Sequence, residues 1–410
     1  MKTVLNQNTK VPFLIMSLIM ALSSFSGIFA LSSSWYVACI FVFFLIYILP
    51  SLVKVRNVNV FLLAFLVICI LSIIINDPPH YFRAWERLLA FLLVLLAFSP
   101  IISSEEITKR RMRLFDTLFI IMILFSCASF IGYFFGTNYF IRDGVTLDYS
   151  DSGHFSGFMN HSMMLAPISS LSCIYSLATT ISIRNSFRKK LLWFFFAITC
   201  LGSVLLSGSR GATGAMIFAF LVMIYRYNSG RIGKMLKYLL IITAVLAATA
   251  SIWITIANPV IEKNRANEEN GSLFYSREEK MAARFYEIKN NPFSGVGFAT
   301  VDETVDSVDK VKGTIEPNSS WLAVFSMTGV FGFVCFLVFF FQLYKGVLKK
   351  IDDRYLSTLM IGILSFFLIH LITEGYVMAA GSILCGLFWF SAGVAYGLIK
   401  MADKVTKGLV

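Results

Sequence analysis

The residues of this chain best suited to chemistry are arginines set at the edges of long apolar runs. Arg210 stands in Ser207-Gly208-Ser209-Arg210-Gly211, where very few residues separate two such runs. An ionisable group at a membrane boundary is costly unless it is paired or serves a ligand. Arg210 therefore reads either as a ligand-binding residue or as a turn residue reaching for lipid phosphate. Arg277 opens a second pattern, in which Arg277, Met281, Arg284 and Ile288 recur at helical spacing with Phe285 beside them. That face suits the membrane interface, or equally a helix lying on a bundle. Arg83 and Arg87 are i, i+4 neighbours near His80 and Glu86, which makes them ligand contacts or interfacial arginines snorkelling to headgroups. Glu374, before Gly375, ends a late apolar run and is suited to neutralising an arginine or accepting a proton, whereas His370 reads as a packed histidine. Guanidinium forks match phosphate oxygens in pairs and stay charged at any relevant pH. Several of them at one membrane face point to an anionic ligand, a lipid phosphate or pyrophosphate. Free N–H groups at the start of a helix from Arg277 would add to such a site.

The elements that must position these residues are membrane spans. Hydrophobic residues make up 57% of the 410-residue chain and charged residues 14%, well outside the soluble norm. The net charge of +12 could suggest nucleic acid. The basic residues, however, fall in short clusters between apolar runs, as in cytoplasmic membrane loops, and nucleic acid is set aside. The runs predict an all-α integral membrane protein of about twelve transmembrane helices. With both termini cytoplasmic, clusters such as Lys109-Arg110-Arg111 and Arg188-Lys189-Lys190 fall on the inner side, as the positive-inside rule requires. The long polar segment 258–320 then becomes a large extracytoplasmic loop between helices 9 and 10, within one polytopic domain spanning 1–410. Inside it, Ser276 and Glu279 have capping-box spacing, so a helix is expected from Arg277, with Ser276 as N-cap, to the stop at Asn290-Asn291-Pro292. The first apolar run follows Lys2 and Lys10 as a signal peptide would, but it is long and ends without a small-x-small site, so no cleavage is expected.

Other chemistries find little support. Asp143, Asp148, Asp151 and His154 are close in sequence, but their spacing matches no compact ligand motif. The seven cysteines all lie in apolar runs without CxxC or CxxH partners. Gly295-Val296-Gly297 lacks the third glycine and preceding strand of a dinucleotide fingerprint, and no Walker motif, HExxH or GxSxG occurs. No metal or other cofactor is expected, and energy should come from the substrate.

Four segments together resemble the bacterial O-antigen ligase and O-antigen polymerase superfamily. Leu206-Ser207-Gly208-Ser209-Arg210-Gly211 is similar to the family's L-S-x-S-R-G turn. Arg277, with Pro292-Phe293-Ser294-Gly295-Val296-Gly297 beginning fifteen residues later, resembles its R-x(14)-N-P-x-x-G-V-G segment. Pro317-Asn318-Ser319-Ser320-Trp321-Leu322 through Gly329-Val330-Phe331-Gly332 resembles the H-N-x-x-L…G-x-x-G segment. Gly157-Phe158-Met159-Asn160-His161 resembles the Asn-containing start of an earlier span. The resemblance covers roughly residues 157–335 and implies a GT-C-like glycosyltransferase of the bacterial inner membrane with a periplasmic active site. It implies a glycan on undecaprenyl pyrophosphate as donor, surrounding membrane lipid, and a chain-length-determinant co-polymerase as a possible partner.

By the same resemblance, residues matching Arg210 and Arg277 hold the pyrophosphate and stabilise charge on the leaving group. Arg83, Arg87, Arg284, His161 and Asn318 are expected to bind substrate. Ligases of the family are thought to use the histidine of the H-N segment as base. Here that position is Asn318, followed by Ser319, and an amide cannot take a proton. The departure favours a polymerase, whose acceptor is another lipid-linked repeat unit, over a ligase that transfers to lipid A core. The base would be Glu374, or else Glu316, His161 or His80. A flippase is a third reading, but it should carry mid-membrane polar sites and internal repeats, and the sequence displays neither.

Overall fold

The computed structural model describes residues 10–27, 31–54, 57–136, 139–142, 145–148, 155–182, 185–228, 230–269, 275–304, 313 and 315–406. Asp143, Asp151 and His154 lie outside these residues. The helices are α1 (Lys10–Ser24), α2 (Ser33–Phe43), α3 (Val60–Asn76), α4 (Ala84–Phe98), α5 (Glu105–Phe134), α6 (Ser162–Thr180), α7 (Phe187–Leu206), α8 (Arg210–Tyr227), α9 (Ile232–Ala248), α10 (Ala250–Glu269), α11 (Tyr275–Asn290), α12 (Ser320–Lys350), α13 (Arg354–Thr373) and α14 (Ile383–Thr406). Two short antiparallel pairs accompany them, Asn57–Val58 with Ile102–Ser103 and Tyr139–Arg142 with Val145–Asp148. Among the described residues seven helices are long and apolar enough to cross a membrane: Ser33–Leu52, α5, α6, α7, α12, α13 and Ile383–Lys404. Val11–Ser24 and Val60–Asn76 are shorter apolar helices.

The apolar run at 238–257 is divided between α9 and α10, and α10 continues past Asn258-Pro259 into the stretch expected to be loop. Glu262, Lys263, Arg265 and Ala266 are good helix formers and carry the helix onward, and Asn258 Nδ2 donates to Glu262 Oε1 at 2.7 Å. α11 begins at Tyr275, so Ser276 lies inside its first turn and is not its N-cap. The helix does stop at Asn290.

The chain forms two compact units. One comprises Met1–Tyr36, Arg113–Glu269 and Ile351–Ile369. In it, the segment 157–161 is tied to the end of α1: Gly27 N donates to Phe158 O at 2.8 Å and Asn160 N to Phe25 O at 2.9 Å. Gly157 has φ +56, and a Cβ there would meet the Ser129 side chain at 2.4 Å. The same unit holds Arg226 of α8 against Ser357 Oγ (2.7 Å) and Ile351 O (3.1 Å).

The other unit comprises Val37–Met112, Asn270–Lys350 and His370–Val410. Its aromatic core includes Trp389, which donates Nε1–H to Val377 O at 2.8 Å and stacks on Phe339. Arg111, read in the sequence as a charge of a cytoplasmic loop, is fully buried on α5. It donates to the carbonyls of Ala97, Leu96 and Ile102 at 2.9, 3.3 and 3.2 Å, where the C-terminal carbonyls of α4 attract a cation.

The most informative backbone feature of this unit is the break in α12 at Gly329, whose φ of 66° and ψ of −173° are not helical. The break frees the carbonyls of Ser326 and Met327, which accept from Val296 N at 2.8 Å and Gly297 N at 3.2 Å. Val330 N in turn donates to Pro292 O at 2.8 Å. The 292–297 turn and the start of α12 thus form one interlocked piece. Neither contact leaves room for a side chain: a Cβ on Gly329 would sit 2.0 Å from Phe293 O, and one on Gly295 2.5 Å from the Met327 carbonyl carbon. Gly329→Ala is therefore expected to cost about 2 kcal/mol or more, read as a lower thermal midpoint of the detergent-solubilised protein.

Candidate functional site

The second unit brings a carboxylate and a guanidinium together where α11 begins and α13 ends. Arg277, in the first turn of α11, reaches Glu374 just beyond the end of α13, with Nη2 2.5 Å from Oε1. The pair is partly open, with side-chain exposures of 25% for Arg277 and 20% for Glu374. The second arm of the fork, Arg277 Nη1, is buried without a hydrogen-bond partner among the described residues.

The root of Glu374 is held firmly. Its carbonyl accepts from Ser320 N at 3.0 Å and Ser320 Oγ at 2.6 Å, and its N–H donates to His370 O at 3.0 Å. Ser320 Oγ also accepts from the N–H groups of Tyr376 (3.0 Å) and Val377 (3.2 Å). Gly375 then passes close to the next segment, since a Cβ there would meet Pro317 Cγ at 2.4 Å and Asn318 N at 3.0 Å. Asn318 has the left-handed φ of 54°, a conformation that asparagine tolerates better than most residues. Asn318, Arg277 and Glu374 are in this way gathered by one network that links α11, the start of α12 and the end of α13. His370 is buried, as expected, and shares a 2.9 Å hydrogen bond between Nδ1 and the Tyr376 hydroxyl.

A cavity of about 460 Å³ opens beside this network. Its walls are mostly small or apolar, including Ala323 and Met327 of α12, Pro317, Gly375 and the loop from Val377 to Ser382. Arg87 and Glu316 are its charged lining residues. Arg87 Nη2 also donates to Gly313 O at 2.5 Å, which aims the guanidinium and holds the backbone at that position.

Several expected positions differ from the sequence reading. Arg83 is the exposed N-cap of α4 with φ 51°, so it lies at the start of the helix that carries Arg87 and not within it. Arg284 was expected to bind substrate, yet it is fully buried and pairs with Glu287, Nη1 to Oε2, at 2.9 Å. Glu287 is also fully buried and accepts from Asp302 N at 2.7 Å through Oε1. The face carrying Ala283, Arg284 and Glu287 therefore turns into the protein, while Phe285 and Tyr286 are exposed. Burial raises the Glu287 carboxyl to about 7, with Arg284 pulling in the opposite direction.

Arg210 and His161 belong to the first unit. Arg210 is the first residue of α8, half-buried, behind the N-cap Ser209 and a turn in which Gly208 has φ 67°. His161 is the exposed N-cap of α6, its Nδ1 accepting from Met163 N at 3.0 Å. His80 and Glu316 are exposed.

Sequence reasoning missed Tyr376, Ser320 as a connector, Glu287 as the partner of Arg284, and the whole cavity wall from Val377 to Ser382. Small apolar residues in a short connection carry no period and no charge, so nothing in the sequence marks them as a wall. Glu287 does stand three residues after Arg284, a spacing that brings side chains together on a helix.

No curated protein matches this chain. Residues 195–337, from within α7 to within α12, match the family model Wzy_C, described as O-Antigen ligase. The match takes in Arg210, Arg277, the 292–297 turn and Asn318, whereas Arg83, Arg87, His161 and Glu374 lie outside it. Over residues 195–337 this chain is thus similar to the O-antigen ligase family, which supports the resemblance to the O-antigen ligase and polymerase superfamily.

Proposed function

We propose that this protein is a polysaccharide polymerase of the bacterial inner membrane, acting at the periplasmic face. It transfers a glycan from undecaprenyl pyrophosphate onto a sugar hydroxyl of an incoming lipid-linked repeat unit. The chain crosses the membrane about twelve times in a GT-C-like arrangement, with both termini cytoplasmic. A separate co-polymerase sets chain length. No nucleotide is consumed, because the sugar–pyrophosphate bond already holds the energy needed, and the family resemblance implies chemistry without a metal.

The observation that carries this reading is the Arg277–Glu374 pair beside Asn318, the position at which a ligase of this superfamily is expected to present histidine. Arg277 holds the pyrophosphate and stabilises the charge that develops on the leaving group; the role of Arg210 rests on the family resemblance alone. Glu374 takes the proton of the acceptor hydroxyl as that oxygen attacks the anomeric carbon. Asn318 orients a sugar through its amide, and the neighbouring cavity with Arg87 and Glu316 accommodates substrate. Arg83 and His161 are exposed to contact the glycan or the lipid headgroups.

The description of the matching family favours a second reading, a ligase that moves finished glycan to lipid A core. A deletion strain complemented with wild type or Arg210→Ala separates the two on a gel of its surface polysaccharide. A single core-plus-one-repeat band, rescued by wild type and not by Arg210→Ala, is the result expected of a polymerase. Loss of all lipid-A-linked glycan, with polymer accumulating on its carrier, would make the protein a ligase.

A further inference from the structure

We infer that donor binding switches on the base: the pyrophosphate of the incoming donor takes the Arg277 guanidinium from Glu374 and leaves that carboxylate competent to accept a proton. The inference rests on the functional reading above and deepens it. Its starting point is a conflict, because the two groups assigned to opposite tasks are bound to each other at 2.5 Å. A carboxylate paired with a guanidinium is stabilised in its charged form and resists taking up a proton. A guanidinium occupied by a carboxylate has correspondingly less to offer a phosphate.

The geometry says which partner moves. Glu374 is anchored on both sides of its backbone, through Ser320 at its carbonyl and His370 at its N–H. The following Gly375 is closed in by Pro317 and the Asn318 backbone. Arg277 is attached by a long stem to the first turn of α11, and its Nη1 is already without a partner among the described residues. One arm of the fork is thus ready for a phosphate oxygen while the other holds Glu374. A pyrophosphate offers more charge and paired oxygens in the bidentate arrangement guanidinium prefers, so it outcompetes a single, partly solvated carboxylate.

The transfer step then balances. The acceptor oxygen forms a bond to the anomeric carbon while the bond from that carbon to the pyrophosphate oxygen breaks, its electron pair leaving with the phosphate. The acceptor proton passes to Glu374, and Arg277 holds the departing polyprenyl pyrophosphate. When that product leaves, Arg277 returns to Glu374 and the proton is released to water. The base is therefore active only while a donor is in place.

The test is equilibrium binding of undecaprenyl pyrophosphate to the full chain in lipid nanodiscs, alongside transfer with a lipid-linked repeat. Glu374→Gln should bind undecaprenyl pyrophosphate about two- to fivefold more tightly than wild type, the size expected on removing a partly exposed competing ion pair. The same variant should transfer at least about a hundredfold more slowly. Glu374→Ala should reproduce the tighter binding, and Arg277→Ala should bind more weakly than wild type. Binding by Glu374→Gln that is equal to or weaker than wild type would overturn the switch and leave the pair as a structural staple. Collapse of the thermal midpoint in both Glu374 variants would do the same. If wild type itself neither binds undecaprenyl pyrophosphate nor transfers, the functional reading fails as a whole, an outcome distinct from failure of the switch alone.

Discussion

Arg277→Ala is expected to lower the rate of glycan transfer by about 10²–10³-fold, the usual cost of removing one preorganised group that stabilises developing charge. Arg277 is partly exposed, sits in the first turn of α11 and has one fork arm without a partner, so the loss should fall on transfer far more than on folding. Arg277→Lys keeps the charge but not the planar fork, and it should recover only part of the rate. The measurement is initial rate against donor concentration for the two variants and wild type, with thermal midpoints measured in parallel. Near-wild-type transfer by Arg277→Ala would remove this residue from the site.

The second large effect concerns Arg284 and Glu287, which form a fully buried ion pair on the same helix. Breaking a buried pair by removing one partner leaves an uncompensated charge and costs about 3–5 kcal/mol. Glu287→Ala and Arg284→Ala are each expected to show that loss in thermal or denaturant unfolding. Glu287→Ala also leaves the Asp302 N–H without its acceptor. The double replacement Arg284→Met with Glu287→Leu should recover most of the stability, since apolar substitution of a whole buried pair is often neutral. Loss in the double variant equal to the sum of the singles would mean that the two residues act independently and not as a pair.

The same carboxyl sets a pH dependence. Its folded-state pKa is raised to about 7 from an ordinary carboxyl value, so the folded state holds a proton that the unfolded chain has already lost. The stability it contributes is fully present below the ordinary carboxyl range and is lost as pH rises through about 7. Unfolding midpoints measured from pH 4.5 to 8 should fall with pH for wild type and less steeply for Glu287→Gln. Equal slopes would assign the pH dependence to other groups.

The reach of the sequence differs from residue to residue. Of the twelve apolar runs read as spans, seven fall on helices that are long and apolar enough to cross a membrane among the described residues, and the stop of α11 at Asn290 was visible in Asn290-Asn291-Pro292. The Gly295-Val296-Gly297 and Gly329 motifs were visible as a resemblance. Their physical reason, two backbones meeting with no space for a side chain, needed coordinates. Periodicity correctly grouped Arg277, Met281, Arg284 and Ile288 on one side of α11, yet it could not say what that side meets. The same pattern serves a lipid interface or a protein interior, and here Arg284 turns inward to Glu287. Arg83 escaped for a different reason. An i, i+4 count assumes that helix begins before the first residue, and the left-handed backbone of Arg83 places it outside α4. The Arg277–Glu374 pair joins residues ninety-seven positions apart, and no local pattern encodes such a contact. The sequence offered only two candidates of opposite charge expected on the same face of the membrane.

Bond formation between lipid-linked sugars at the Arg277–Glu374 site would be seen in a reconstituted reaction. Purified protein in nanodiscs would be supplied with its undecaprenyl-pyrophosphate-linked repeat unit and no nucleotide, and the products resolved by length. A ladder of lipid-linked oligomers with release of undecaprenyl pyrophosphate is expected, both slowed about 10²–10³-fold by Arg277→Ala. An unchanged lipid-linked repeat, or transfer that occurs only when lipid A core is added, would contradict polymerisation at this site.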